Sequence, residues 1–311
     1  MAMRIAVTGK QGQVVSSLLD AGPRFGVEVV PIGRPEVDLA VPKTVLPALN
    51  ASAPDVIVNA AAYTAVDQAE REPEAARAVN VTGAGAVAAA ARVLGVPVVH
   101  LSTDYVYDGT KPTPYVEDDP VGPSSVYGAS KLAGEQAVAA ATPDHVILRT
   151  AWVFSPYGKN FVRTMLQLAQ SRDEVRVVSD QCGCPTYAPD IAVAIIAIAQ
   201  NLLDRPDDPR LRGIFHLTNQ GETNWARFAE AVFSFLALNG MRKPILTPIS
   251  TAEYPTAARR PANSRLDCSK LDCRHGIRLP LWRTSLTKCL ERLINSDSHK
   301  PFHTLHSESL R

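Results

Sequence analysis

At 311 residues, 46% hydrophobic and 20% charged, the chain has the composition of a soluble globular protein of one or two domains. A net charge of +1 gives no broad field, which argues against nucleic acid or a membrane surface as the main partner; an anionic ligand would have to be met by local arginines. Five cysteines, odd in number and scattered, imply no disulfide framework.

The chain opens on an apolar strand, Ile5–Val7, that runs into Gly9-Lys10-Gln11-Gly12-Gln13 and a helical stretch over Val14–Ala21. No cationic region followed by a long apolar segment stands before it, so a cytoplasmic protein is expected. Further strands are predicted at Val27–Ile32, Val56–Ala60, Val96–Leu101 and Val146–Thr150, with Ala-rich helices at Ala75–Leu94 and Ser125–Ala141 between them. This alternation predicts an α/β fold over residues 1–150, a Rossmann-like doubly wound parallel sheet completed by later segments. Past Thr150 the regularity fades into a smaller C-terminal lobe over 151–295. It reads as a loop (152–160), a helix (Phe161–Ser171), a strand (Val175–Val178) and a helix (Pro189–Leu203). A strand near Ile214–Thr218, a helix (Thr223–Leu238) and a Pro- and Arg-rich loop (255–266) follow. The apolar run Ile191–Leu203 is too short to span a bilayer and reads as a core helix. The polar tail 296–311, with three histidines, is expected to be mobile and its histidines solvated.

Three polar sets fall at carboxyl ends of predicted strands, where such sheets bind ligands. The first is the glycine turn. Gly9 and Gly12 permit a tight turn and let backbone N–H groups approach a pyrophosphate at a helix N-terminus. The fingerprint is incomplete, because Val15 stands where a third Gly or Ala is usual; an ordinary strand–helix turn is the plain alternative. The second set is Asn59–Tyr63 and the third Ser102-Thr103-Asp104-Tyr105. Twenty-four residues beyond the last lie Tyr127 and Lys131, whose four-residue spacing stacks both side chains on one helix face. A phenol beside an ammonium group is expected to have a lowered pKa, suiting it to exchange a proton with a carbonyl oxygen. With the Ser/Thr pair able to hydrogen-bond the same oxygen, the pattern points to ketone reduction or alcohol oxidation. A surface Tyr/Lys pair is the plain alternative. Cys182-Gly183-Cys184 lacks the usual two-residue spacer of metal ligands, and no metal site is expected.

On these residues the chain resembles the extended short-chain dehydrogenase/reductase superfamily and, within it, the dTDP-4-dehydrorhamnose reductase family. The blocks that carry the resemblance are Gly9–Gln13, Asn59–Asp67, Ser102–Gly109 and Tyr127–Glu135. Arg149–Val153, Gly158–Phe161 and Arg259–Leu266 follow, covering roughly residues 3 to 295. The resemblance implies a small-molecule nucleotide-sugar substrate whose C4 ketone is reduced by NADPH or NADH, giving dTDP-L-rhamnose from dTDP-4-dehydro-β-L-rhamnose. It makes Tyr127 the general acid, Lys131 the holder of the nicotinamide ribose, and Thr103 a hydrogen-bond partner of the substrate carbonyl. It implies cofactor contacts from Gly9, Lys10, Gln11, Gly12, Gln13, Leu39, Ala60, Ala61, Ala62 and Tyr63. Substrate contacts would come from Asp104, Trp152, Asn160, Phe161, Arg259, Arg260 and Arg265, with Asn80 supporting the catalytic region. Another nucleotide 4-keto-6-deoxysugar reductase is the nearer alternative. The further one is a non-catalytic NADP-binding regulatory subunit similar to a methionine adenosyltransferase β subunit.

The chain departs from the family pattern twice. The second strand ends in Ile32-Gly33-Arg34-Pro35, with Arg34 where NAD-selective folds place an acid; Arg34 would meet a 2′-phosphate and favour NADPH, whereas Asp38 would face the adenine side. Some members are dimers bridged by Mg²⁺ through glutamates, one of them in the first helix. Here that helix reads Val15-Ser16-Ser17-Leu18-Leu19-Asp20, and Pro189-Asp190 replaces the later Glu. Mg²⁺ wants such carboxylate oxygens, so the bridged dimer is not implied and a monomer or another homodimer stays open.

Overall fold

The computed structural model describes residues 2–297. The first half comprises β1 (Arg4–Thr8), α1 (Gln13–Ala21), β2 (Glu28–Ile32), α2 (Val45–Ala51), β3 (Val56–Asn59), α3 (Val66–Ala69), α4 (Pro73–Arg77), α5 (Ala84–Leu94), β4 (Val98–Thr103), α6 (Val126–Ala141) and β5 (His145–Thr150). The second comprises β6 (Val153–Phe154), α7 (Phe161–Ser171), β7 (Glu174–Val178), β8 (Cys182–Gly183), β9 (Thr186–Tyr187), α8 (Ala188–Asp204), β10 (Gly213–His216), β11 (Thr223–Asn224), α9 (Trp225–Leu238), β12 (Ile245–Ile249), β13 (Asn263–Ser264), α10 (Ser269–His275) and α11 (Trp282–Asp297).

Six strands form one wholly parallel sheet in the order β2-β1-β3-β4-β5-β10. Their near-continuous Val/Ile/Leu runs suit strands covered on both faces. On one face α1 and α8 bury Val15, Leu18, Ile191 and Ile195 against β1, β3 and β5. On the other, Val45, Leu49, Val87 and Val138 pack on Ala6, Ile57 and Ile147. The chain winds outward from β1 to β2 and then crosses back over β1 to β3. Winding therefore reverses between β1 and β3, and the crevice beyond their carboxyl ends is where such folds take ligands. The Gly9 turn and the Ala60–Tyr63 loop both sit there.

The strand expected near Ile214–Thr218 is β10, the outermost parallel strand beside β5. A second aromatic core joins α7, α9 and α11 through Phe154, Val162, Phe228, Phe233, Trp282 and Leu286. Beside it, β7 pairs in parallel with β12. The helix expected over Ala75–Leu94 is three segments, α4 and α5 joined by a π-helical turn over Ala78–Gly83. α11 continues to Asp297, so the first two residues of the tail expected from Ser296 are helical; residues 298–311, where its histidines fall, lie outside the described residues.

Candidate active site

Gly9 takes φ +100°, a left-handed conformation that side chains rarely adopt, and its N–H donates to Ile32 O at 2.7 Å, tying the turn to β2. Gly12 caps α1 with no side-chain hydrogen bond, so the first-turn N–H groups of this helix point outward free to meet an anion. Val15, in the place of the third glycine, is buried in the core with a methyl 3.4 Å from where a Gly9 Cβ would stand. Across the crevice, Ala60 and Ala61 both donate their N–H to Thr8 Oγ1 at 3.0 Å, which turns the chain sharply out of β3. Bare glycines, three small methyls at Ala60–Ala62 and a bare helix N-terminus fit a dinucleotide pyrophosphate and its flanking riboses.

The remaining residues expected around a cofactor divide. Lys10 is exposed and paired with Glu36 at 2.5 Å. Gln13 reaches away from the glycine turn, accepting from Ser155 Oγ at 2.8 Å and donating to Val153 O at 3.4 Å, and so ties the turn to the 152–160 loop. Arg34 and Asp38, read as alternatives, face each other at 3.8 Å, with Arg34 mostly exposed. Leu39 turns its side chain into the core, where its atoms would lie 2.6 Å from a Cβ built at Gly83, so only its backbone is left to meet a cofactor. Tyr63 is held at both ends of its backbone by Asn80, whose Oδ1 accepts from Tyr63 N at 2.8 Å and whose Nδ2 donates to Tyr63 O at 3.1 Å. Asn80 Nδ2 also donates to Ser130 Oγ at 2.9 Å, joining the cofactor loop to α6. The π-helical turn aims Asn80 at both partners at once.

Tyr127 and Lys131 lie in the first turns of α6, capped by Ser125 accepting from Gly128 N. Two glycines let this helix settle onto backbone: a Cβ at Gly128 would come 2.2 Å from Tyr105 O, and one at Gly134 2.1 Å from Asn80 O. Tyr127 packs edge-on to Tyr105, with ring centroids 5.6 Å apart, and the Thr103 hydroxyl favours its charged form. Thr103 Oγ1 donates to Asp104 Oδ1 at 3.0 Å. Asp104 is 4% exposed, and its Oδ2 has no hydrogen-bond partner among the described residues. Burial pushes its carboxyl to about 6, while the Ser264 and Thr103 hydroxyls pull the other way.

The expected lowering of the Tyr127 phenol is corrected. Burial and the Asp104 and Tyr105 charges push it above its ordinary value, and Thr103 alone lowers it. Lys131 is turned elsewhere: Nζ donates to Leu101 O at 2.7 Å and lies 3.5 Å from His100 Nε2. Burial brings the Lys131 ammonium down to about 8. One turn on, Glu135 and Arg149 form a buried pair at 2.6 and 3.0 Å, joined by Ser102 donating to Glu135 at 2.5 Å and Arg149 donating to Tyr107 OH at 2.7 Å.

On the other side of the crevice Trp152 sits at φ +50° and stacks on Trp225, ring centroids 3.6 Å apart. Phe161 packs against Trp225 at 4.7 Å. Asn160 caps α7 and donates to Ser155 O and Tyr157 O, a holding rather than an open role. The three arginines separate. Arg260 is engaged by Asp67 at 2.5 Å and by Tyr105 OH at 3.2 Å. Arg265 is engaged by Glu222, Asn263 and Pro112 O. Arg259 is exposed, and of the three it is the one whose guanidinium has no hydrogen-bond or ion-pair partner among the described residues.

Sequence reasoning did not single out Trp225, His100 or Ser264. Trp225 opens an amphipathic helix and reads as core; its signal was only an aromatic at a helix start. His100 alternates with Ser102 along β4, and both side chains meet residues of α6.

A family model described as the RmlD substrate binding domain matches residues 3–295. The chain is 56% identical over 292 residues to the dTDP-4-dehydrorhamnose reductase of Sinorhizobium fredii, an alignment covering 94% of this chain and 98% of that protein. Among solved structures, a dTDP-4-dehydrorhamnose reductase from Clostridium acetobutylicum superposes with a TM-score of 0.86 at 36% identity, covering 94% of this chain and all of that one. The Bacillus anthracis dTDP-4-dehydrorhamnose reductase, solved in complex with NADP, superposes with a TM-score of 0.87 at 34% identity, covering 94% of this chain and 100% of that one.

Proposed function

The chain belongs to the RmlD substrate-binding family, and from that premise we propose that it reduces the C4 ketone of dTDP-4-dehydro-β-L-rhamnose to dTDP-L-rhamnose. NADPH is the reductant, with NADH tolerated, and the setting is the cytoplasm. The observation that carries the reading is the meeting of Thr103, Asp104 and Tyr127 at the carboxyl end of β4, on the same edge of the parallel sheet as the Gly9 turn after β1. In this reading residues 1–150 hold the cofactor and residues 151–295 contribute the sugar and nucleotide contacts.

A reduced nicotinamide bound over the Gly9 turn and the Ala60–Ala62 loop would supply the hydride for the carbonyl carbon. A carbonyl oxygen beside the Tyr127 hydroxyl takes two O–H donors once Thr103 turns its hydrogen from Asp104 Oδ1 to that oxygen. As charge builds on that oxygen Tyr127 gives up its proton to it, completing the alcohol. Donation by a phenol is easiest when its anion is stabilised, and in the protein alone that anion is not. The cofactor and the nucleotide sugar are both anions, so the positive charge that lowers Tyr127 would come from a shift of Lys131 off Leu101 O. Asp104, poised near neutrality, is placed to bond a sugar hydroxyl through its unpaired Oδ2. Trp152 and Trp225 give the deoxysugar an apolar wall, and Arg259 meets the diphosphate.

The test is oxidation of NADPH, and separately NADH, by the purified protein with enzymatically generated dTDP-4-dehydro-L-rhamnose, the product identified by NMR. Tyr127→Phe is expected to lower turnover about 10²- to 10⁴-fold while cofactor affinity stays within about twofold. Cofactor binding without turnover on this ketone or related keto-sugars would favour a regulatory subunit.

A further inference from the structure

A chain of buried polar groups runs beneath the crevice from β1 to α6. Thr8, Asn59, His100 and Lys131 are each at most 2% exposed, and they come from β1, β3, β4 and α6. Thr8 Oγ1 accepts from the N–H groups of Ala60 and Ala61, both at 3.0 Å, which occupies its two lone pairs. Its remaining hydrogen must therefore be donated, and Asn59 Oδ1 receives it at 2.8 Å. That fixes which end of the Asn59 amide faces which way: Nδ2 points at His100 Nδ1, 3.0 Å away, and donates to it. With Nδ1 accepting, a neutral His100 carries its proton on Nε2. Burial holds this imidazole neutral, the Lys131 and His145 charges adding to the effect. The Nε2–H then faces Lys131 Nζ at 3.5 Å, the outer limit of a hydrogen bond.

We infer that His100 is a positioning residue for the reaction: its Nε2–H, set by Thr8 and Asn59, faces Lys131 Nζ as a donor and withholds an acceptor from it, so that the Lys131 ammonium gives up its proton more readily than one paired with acceptors on every side. The inference rests on the reductase reading only for what Lys131 does in turnover. The physical logic is directional. An ammonium brings only donors, and one meeting a donor N–H gains nothing there; an amine lone pair gains a bond. Glu135, on the same helix, is the charge that opposes this by favouring the ammonium. His145 on β5 acts on His100, and Leu101 O accepts from Nζ in either state. The arrangement also bars His100 from relaying protons, because its Nδ1 is closed by an amide donor. Lys131 must exchange protons on the crevice side.

The experiment needs no turnover in its first two arms. ¹⁵N NMR of histidine-labelled protein, without ligands, reports the His100 tautomer; Nε2–H is expected, and Nδ1–H would overturn the inference. The ¹³Cε resonance of Lys131 gives its titration midpoint in the wild type and in Asn59→Asp. A carboxylate at 59 accepts from both Thr8 and His100, which moves the imidazole proton to Nδ1 and turns Nε2 into an acceptor. The Lys131 midpoint is then expected to rise by a unit or more, and the alkaline limb of kcat with it. His100→Gln, whose amide keeps a donor near the Nε2 position, is expected to hold the limb near the wild-type pH, and His100→Leu to move it upward. A tautomer that flips in Asn59→Asp while the Lys131 midpoint stays put overturns the coupling. A moving NMR midpoint in a protein that reduces no keto-sugar would instead count against the reductase reading alone.

Discussion

The Glu135–Arg149 pair offers the sharpest energetic test of how β4, β5 and α6 are held. Both side chains are about 2% exposed. Arg149 spends its fork on Glu135 Oε1 and Oε2 and on Tyr107 OH, and Glu135 Oε1 also takes Ser102. Glu135→Gln keeps the shape but presents an amide N–H₂ where Arg149 needs an acceptor, leaving a guanidinium desolvated without its counter-charge. Breaking one partner of such a pair costs about 3–5 kcal/mol. Replacing both, as in Glu135→Leu with Arg149→Met, removes the stranded charge; Tyr107 OH keeps His216 Nε2 and Val116 O. The double variant should then lose less than either single one, with a coupling energy of about 2 kcal/mol or more. Equilibrium urea unfolding of the wild type, Glu135→Leu, Arg149→Met and the double variant at constant m measures it. Single losses below about 1 kcal/mol that simply add in the double variant would refute the reasoning.

Arg259→Ala should raise KM for the nucleotide sugar about tenfold or more, a lost charged hydrogen bond, without changing thermal stability. Arg260→Ala should instead lower stability by releasing the 255–266 loop from Asp67, so the ratio of the two effects in kinetics and melting separates the roles. Asp104 is protonated more readily when folded, with a value near 6 against an ordinary 3.8. The folded protein thus binds the extra proton between those values, and stability from this group falls as pH rises through that window. Asp104→Asn is expected to be more stable than wild type by about 2–3 kcal/mol above pH 6, the gain vanishing below about pH 4, with activity reduced; a pH-independent difference in urea midpoints would contradict it. Trp225→Ala should raise KM more than it lowers kcat, since it removes the backing of Trp152 and not a group that handles protons; steady-state kinetics with the keto-sugar reads the split.

The sheet was legible because its strands are buried on both faces and therefore read as unbroken apolar runs; only their ends move by a residue or two. The site loops were legible for a related reason, since each follows such a run directly. What resisted was whatever depends on partners remote in sequence. Asn80 interrupts an Ala-rich helical stretch, and only the positions of Tyr63 and Ser130 explain why a π-helical turn stands there. Arg260 and Arg265 look as free in sequence as Arg259, and nothing local announces Asp67 or Glu222. Lys131 sits one helical turn from Tyr127 as its spacing requires, yet its amine is claimed by a strand carbonyl, and burial raises the phenol where spacing alone had it fall. α11 was readable in principle. Trp282, Leu286, Leu290 and Leu293 recur at helical intervals, but Thr and Ser between them weaken the local propensity.

The two glycines of α6 bear on how this protein can drift in evolution. Because Gly128 and Gly134 seat the helix directly on the carbonyls of Tyr105 and Asn80, the height and tilt of Tyr127 are fixed by main chain against main chain. Main-chain seats do not change when neighbouring side chains are exchanged. Residues on the outer surface of α6, such as Ala129 and Gln136, which are exposed, are therefore free to vary without moving the phenol. A single methyl at 128 or 134 would displace the whole helix. Lineages can rewrite most of this helix's surface and keep the same chemistry, provided two hydrogen atoms stay where side chains would otherwise be.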